Sequence, residues 1–231
     1  DVSSTDGVPK IFDFFTDYRY VVIPGGRFSG AGKALAPDYT KMSYEEIAAL
    51  KKGDVEIWPY RLNEKLYEAC LCGSSFLLMP SFYEPFGAAT EGFAHGTPVI
   101  ARATGGLISQ VIPYNSVTFP NSYAKLIDHF EVLNDKKTGF LYRESFQEIN
   151  QGFDWKSILS RPPRGRIEVP LYRTMVNSAQ GVILEAAGVY EDDDIYGAMI
   201  MNGLNSLNRF SWLETARKYS TIYARTSLNK N

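Results

Sequence analysis

Three short runs of apolar residues, free of the usual polar alternation, divide the middle of the chain. They occupy 75–79, 99–101 and 139–142, and two further β-rich segments lie at 19–24 and 55–58. Short continuous apolar runs are typical of strands that are buried on both faces of a parallel sheet. The chain is therefore predicted to place these segments in strands.

Helical periodicity and helix-capping residues occur between these runs and after the last of them. Asn63 and Gly73 flank one such interval as amino cap and terminator. The predicted helices cover 43–53, 64–72, 88–95, 107–112, 171–190, 192–207 and 212–225. Strands that alternate with helices at this spacing predict an α/β fold, a Rossmann-like parallel sheet with helices on both faces, plus C-terminal helices.

Three local features refine this arrangement. Residues 113–138 are polar and aromatic and carry two prolines, so we interpret them as a surface insertion within a single domain spanning 1–231. Acidic residues at 192–194 suit a helix amino terminus. The stripe Trp212, Ala216, Tyr219 and Tyr223 has helical spacing and is expected to face the core.

Composition excludes several classes of protein. The formal net charge of −2 over 231 residues, with scattered basic residues, gives no basis for binding nucleic acid or an anionic membrane. No apolar run approaches the ~20 residues of a membrane span. Cys70 and Cys72 lie within one predicted helix, which disfavours a disulfide, and a metal site lacks ligands. The polar amino end has neither signal-peptide character nor an initiator methionine, so we expect a cytoplasmic protein of which this chain is one piece.

The candidate chemistry is concentrated just after two of the predicted strands. Segment 80–87 (PSFYEPFG) ends the first strand with Glu84 and a glycine, and segment 104–106 (TGG) follows the next strand and leads into a helix. Helix starts offer unpaired N–H groups and the positive end of the helix dipole, which suit a phosphate. Two such turns on adjacent parallel strands predict a site for a diphosphate-containing ligand, although Glu84 is equally suited to helix capping.

These segments, with 96–98 (GTP) between them, resemble the donor-binding half of retaining glycosyltransferases, specifically the bacterial glycogen and plant starch synthases. The closing segment 210–212 (FSW), followed by Ala216 and Tyr219, is similar to that family's last helix. The resemblance spans roughly residues 19 to 225. It implies the C-terminal domain of a two-Rossmann-domain (GT-B) enzyme that binds ADP-glucose or UDP-glucose, with neither metal nor cofactor.

The resemblance also implies roles for single residues. Glu84 holds hydroxyls of the transferred sugar as the catalytic carboxylate, Tyr60 lies against the base, and Glu91 is a candidate for the ribose. The diphosphate would lie on the two helix starts. The complete set of donor-binding residues is Tyr60, Phe86, Gly87, Ala88, Glu91, Thr104, Gly105 and Gly106.

Departures from the family pattern leave alternatives open. Six residues separate Glu84 from Glu91 where related transferases have seven, and the basic and acceptor-domain motifs are absent. We expect the glucan acceptor to be bound through an N-terminal domain that is missing here, so that the chain alone is inactive. The alternatives are the donor domain of a transferase acting on a small sugar or sugar phosphate, and a non-catalytic module that binds nucleotide or glucan.

Overall fold

The computed structural model describes residues 20–22, 56–58, 62–82, 84, 87–117, 136–145 and 155–228. The chain divides into two compact units, Asp1–Tyr67 with Gly152–Arg173, and Glu68–Gln151 with Thr174–Asn231. The strands are β1 Tyr20–Val22, β2 Glu56–Trp58, β3 Leu77–Met79, β4 Val99–Arg102 and β5 Gly139–Tyr142. The helices are α1 Glu64–Gly73, α2 Ala88–Ala94, α3 Leu107–Gln110, α4 Trp155–Leu159, α5 Pro163–Arg166, α6 Pro170–Tyr190, α7 Asp193–Ser206 and α8 Trp212–Leu228, with a 3-10 helix at Leu207–Phe210.

The first unit contains the two amino-terminal strands, which form an antiparallel pair. Tyr20 lies opposite Trp58, and Val21 lies opposite Ile57. The prediction of strands here is confirmed, but their membership in the parallel sheet is wrong. β-propensity identifies a strand and leaves its partner and direction undetermined. The predicted helix at 43–53 lies outside the described residues.

The second unit is built on the parallel sheet β3-β4-β5, which confirms the α/β prediction. Every residue of β4 and β5 is buried, as the apolar runs indicated. β3 departs from this pattern, because Leu78 is 42% exposed. Side chains alternate between the two faces of a strand, so Leu78 and the buried Met79 lie on opposite faces.

Helices pack against the sheet on the face that carries Val99, Ala101 and Leu141. These side chains form the core with residues of α2 and α3, including Phe93 and Leu107. α3 ends at Gln110 instead of the predicted position 112, and Val111 already has extended backbone angles. Pro113 restricts the chain before it and ends the helix early.

The opposite face of the sheet is covered by aromatic side chains. The Phe76 ring centroid lies 5.9 Å from that of Phe140 and 5.5 Å from that of Tyr196 in α7. Tyr190, at the end of α6, lies 5.0 Å from Tyr196 between ring centroids. Side chains of α6 and α7 therefore contact the sheet through Phe76, which confirms helices on both faces.

The outer edge of β5, on the side away from β4, is paired with the start of the predicted insertion. Asn115 uses its amide in the manner of a peptide group, donating to the Leu141 carbonyl at 2.7 Å and accepting from the Leu141 N–H at 3.1 Å. Pro113 bridges Gly139 in parallel. Residues 118–135, most of the predicted surface insertion, lie outside the described residues.

The carboxyl-terminal helices begin where their sequences indicate. The Asp192 carboxylate accepts from the N–H groups of Asp194 and Ile195, which confirms the predicted helix start. The stripe on α8 does not face the core, because Trp212 is 86% exposed and Tyr219 and Tyr223 are also exposed. Its helical period was predicted correctly, whereas the period alone does not determine what covers that face.

Tyr196 should make the fold sensitive to alkaline pH. Burial, followed by the neighbouring Tyr190, raises the pKa of Tyr196 from 10.0 to about 12, and its hydroxyl donates to the Ser75 carbonyl at 2.6 Å. The unfolded chain ionises this phenol first, so stability present below pH 10 is lost as pH rises toward 12. The free energy of unfolding measured in urea should therefore fall more steeply with pH in this window for the wild type than for Tyr196→Phe. Equal slopes would contradict the assignment.

Candidate functional site

The loop after β3 carries Glu84 and is held in place by residues that follow β4. The Phe82 carbonyl accepts hydrogen bonds from Thr104 Oγ1 at 3.1 Å and from Arg102 Nη1 at 3.3 Å. Two residues later the Glu84 carbonyl accepts the Gly106 N–H at 2.8 Å. The backbone of this half-buried glutamate is thus fixed on both sides by the neighbouring strand-to-helix turn.

Gly105 is required by this close approach. Its φ is +49°, and a Cβ atom added there would lie 2.2 Å from the Glu84 carbonyl oxygen. The predicted adjacency of the two glycine-bearing turns is therefore confirmed. The group that lies this close to Gly105 is a backbone carbonyl of the protein itself, that of Glu84.

The expectation that this second turn offers free amides to a ligand is wrong for most of its residues. The Thr104 N–H donates to the Arg102 carbonyl, the Gly106 N–H to that of Glu84, and the Leu107 N–H to that of Thr104. Within the described part of the chain the Gly105 N–H has no acceptor. A glycine in the sequence indicates a close backbone approach without identifying what approaches.

The start of α2 is the other predicted anion site. Gly87 has φ 125° and ψ −61°, a conformation that strongly favours glycine, and apart from its chain neighbours no atom of the described residues lies within 4 Å of where its Cβ would be. The first-turn N–H groups of a helix have no acceptor in the helix itself. Ala88 is half-buried in this turn, and Glu91 lies exposed one turn further. The Gly87 carbonyl accepts the Glu91 N–H at 3.1 Å.

Sequence reasoning missed a buried ion pair next to this loop. Arg102, the last residue of β4, donates to Glu144 through Nη2 at 2.8 Å and through Nε at 3.1 Å. Its guanidinium carbon also lies 5.3 Å from the Phe82 ring centroid. The available signal was an arginine that continues an apolar strand, with a glutamate two residues beyond the next strand.

The predicted site residues fall into two groups, those that the structure describes and those that lie outside the described residues. The structure brings together the turn that contains Glu84 and the turn that contains Thr104, Gly105 and Gly106, and Gly87 is described as the residue that precedes α2. Tyr60 and Phe86 lie outside the described residues.

Two kinds of feature, a metal centre and a membrane-spanning helix, are absent from the described residues. Across the described ranges, no three His, Cys, Asp or Glu side chains are grouped so that they would hold a metal ion. Cys70 and Cys72 are free thiols, as predicted. Among the described helices, none combines the length and apolar character that a bilayer span requires.

Comparison with known proteins identifies the family. Residues 17–151, more than half of the chain, match the family model for glycosyl transferases group 1. The glycogen synthase of Elusimicrobium minutum is 24% identical over 221 residues, which cover 94% of this chain and 34% of that protein. A probable glycogen synthase of Methanocaldococcus jannaschii is 42% identical over 72 residues, 31% of this chain and 12% of that protein. The chain thus spans about a third of the length of the Elusimicrobium protein.

A solved structure is also similar. The catalytic domain of starch synthase IV from Arabidopsis thaliana, bound to ADP and acarbose, is 19% identical to this chain, with a TM-score of 0.27 over 61% of this chain and 26% of that one. The family assignment rests on the family model and on the glycogen synthase relatives. The chain belongs to the glycosyl transferases group 1 family, and within it resembles the glycogen synthases.

Proposed function

We propose that this chain binds a nucleoside-diphosphate glucose and supplies the donor side of α-1,4-glucan elongation, as part of a larger retaining glucosyltransferase. Membership in the glycosyltransferase family and the glycogen synthase relatives support this proposal. The glucan acceptor would be bound by an N-terminal domain of that larger protein. On this proposal the chain alone binds donor without elongating glucan, and it acts in the cytoplasm.

The observation that carries the proposal is the fixed position of the Glu84 loop beside the Gly105 turn. A carboxylate whose backbone is held in this way can accept hydrogen bonds from sugar hydroxyls at a reduced entropic cost. We assign that role to Glu84. Glu91 is assigned to the ribose, and Tyr60 to stacking against the base.

The diphosphate is assigned mainly to the start of α2, at Phe86, Gly87 and Ala88. Unpaired first-turn N–H groups and the helix dipole stabilise the negative charge that develops on the departing diphosphate. The Gly105 N–H adds one further donor from the second turn, while Thr104 and Gly106 hold the glutamate loop. No metal or other cofactor is required in this scheme.

Glu84→Ala should weaken binding of the sugar nucleotide and leave the bare nucleotide almost unaffected. Hydrogen bonds to a charged group are each worth ~1.5–3 kcal/mol, so we expect at least a roughly tenfold loss of glucose-dependent affinity. Isothermal titration calorimetry with ADP, UDP and GDP, and with the matching glucose derivatives, measures both quantities.

Glu185→Ala is the matched control, because Glu185 is an exposed glutamate on α6. It should leave every affinity unchanged. A chain that binds none of these nucleotides but is retained on glucan would contradict the proposal and favour the non-catalytic module. If the larger protein transfers to a small sugar acceptor and not to glucan, the result favours the alternative of a retaining transferase that acts on a small sugar or sugar phosphate.

A further inference from the structure

The buried Arg102–Glu144 pair has no role in the donor contacts assigned above. The two side chains are 5% and 1% exposed, and two parallel hydrogen bonds join them. A bidentate arginine–carboxylate pair fixes the plane of the guanidinium as well as its position. Arg102 is therefore presented to its other neighbours in a single orientation.

That orientation is directed at the loop of Glu84. The third guanidinium nitrogen, Nη1, donates to the Phe82 carbonyl at 3.3 Å, and the guanidinium carbon lies 5.3 Å from the Phe82 ring centroid. The same carbonyl accepts from Thr104 Oγ1. Arg102 thus connects a carboxylate after β5 to the backbone two residues before Glu84.

Stability alone is a weak reason for such a pair. The desolvation cost of two buried charges cancels much of their attraction, and apolar residues of similar volume often stabilise a protein as well. An apolar pair would, however, offer no donor to the Phe82 carbonyl. The arrangement suits a site in which the position of one loop matters more than the free energy of folding.

We propose that the Arg102–Glu144 pair positions the Glu84 carboxylate for the glucose of the donor. This inference rests on the proposed function, because it needs Glu84 to contact the sugar. Arg102 is a positioning residue: it acts through the backbone at Phe82 and is assigned no contact with the donor. The glucose part of the affinity should depend on it, and the nucleotide part should not.

The test is a double-mutant cycle of Arg102→Lys with Glu84→Ala. Lysine keeps the charge but lacks the planar fork that serves Glu144 and Phe82 together. The readout is the ratio of affinities for ADP-glucose and ADP, or UDP-glucose and UDP, measured by calorimetry on the 231-residue chain. Arg102→Lys should lower this ratio about tenfold, and should have no further effect on it once Glu84 is alanine.

The control is Arg217→Lys, which alters the exposed Arg217–Glu214 pair of α8 and should leave the ratio unchanged. A lower melting temperature of Arg102→Lys with an unchanged ratio of sugar-nucleotide to nucleotide affinity would overturn the inference. The inference would also be overturned if Arg102→Lys lowered this ratio by the same factor in the Glu84→Ala background. If Glu84→Ala alone leaves the ratio unchanged, the role proposed for Glu84 fails first and this inference fails with it. Should Arg102→Lys not fold, Glu144→Asp, which draws the carboxylate back by one methylene, decides between the same outcomes.

Discussion

Gly105→Ala is expected to destabilise the second unit by about 3 kcal/mol and to remove most affinity for a sugar nucleotide. The new Cβ would lie 2.2 Å from the Glu84 carbonyl oxygen, and φ at this residue is +49°. Either the turn or the Glu84 loop must move, and both movements break the hydrogen bond from Gly106 to Glu84. Urea denaturation measures the stability, and calorimetry with ADP-glucose and UDP-glucose measures the affinity.

Gly181→Ala provides the comparison, because Gly181 lies in α6 and, outside the backbone of that helix, no atom of the described residues lies within 4 Å of its would-be Cβ. Alanine in a helix interior is favoured over glycine by roughly 0.5–1 kcal/mol, so this variant should be slightly more stable than the wild type. Similar unfolding midpoints for the two variants would refute the close approach at Gly105. If Gly105→Ala is destabilised but still binds sugar nucleotide with wild-type affinity, the Gly105 turn is not part of the donor site.

Elements that depend on local signals could be predicted from the sequence. Periodicity and caps placed α6 within one residue of its observed start, and the apolar run at 139–142 coincides with β5. Asn63 caps α1 as expected, accepting the Leu66 N–H at 2.9 Å. In each case the deciding interactions lie within one turn of helix or one strand, so the sequence window contains them.

Features that depend on distant partners could not be predicted. Arg102 and Glu144 are 42 positions apart and meet because β4 and β5 are neighbours in the sheet. The sequence also could not identify the acceptor for the Gly106 N–H, since the amides of a glycine turn before a helix can donate to a ligand or to a protein carbonyl. The glycine-bearing turns were therefore located correctly, while two of the amides expected to be free in the second turn, those of Thr104 and Gly106, donate to protein carbonyls.

Glu144→Gln should destabilise the second unit by about 3 kcal/mol or more, because it leaves the Arg102 guanidinium buried without a counter-charge. Arg143 Nε also lies 3.7 Å from the Glu144 carboxylate, so a second cation loses its nearby negative charge. Glu214→Gln removes the acid of the exposed pair in α8 and should cost less than ~1 kcal/mol. Urea unfolding of the three proteins measures both differences, and equal midpoints for the two variants would contradict the buried character of the Arg102–Glu144 pair.

Replacing both partners separates the contribution to stability from the contribution to positioning. Arg102→Met combined with Glu144→Met removes the uncompensated charge, so part of the stability lost in Glu144→Gln should return. Recovery should be incomplete, since Arg143 still faces position 144. The Phe82 carbonyl nevertheless loses its donor at 102, so preference for the sugar nucleotide over the bare nucleotide should stay low. A double variant that regains both stability and glucose preference would show that the pair serves folding alone.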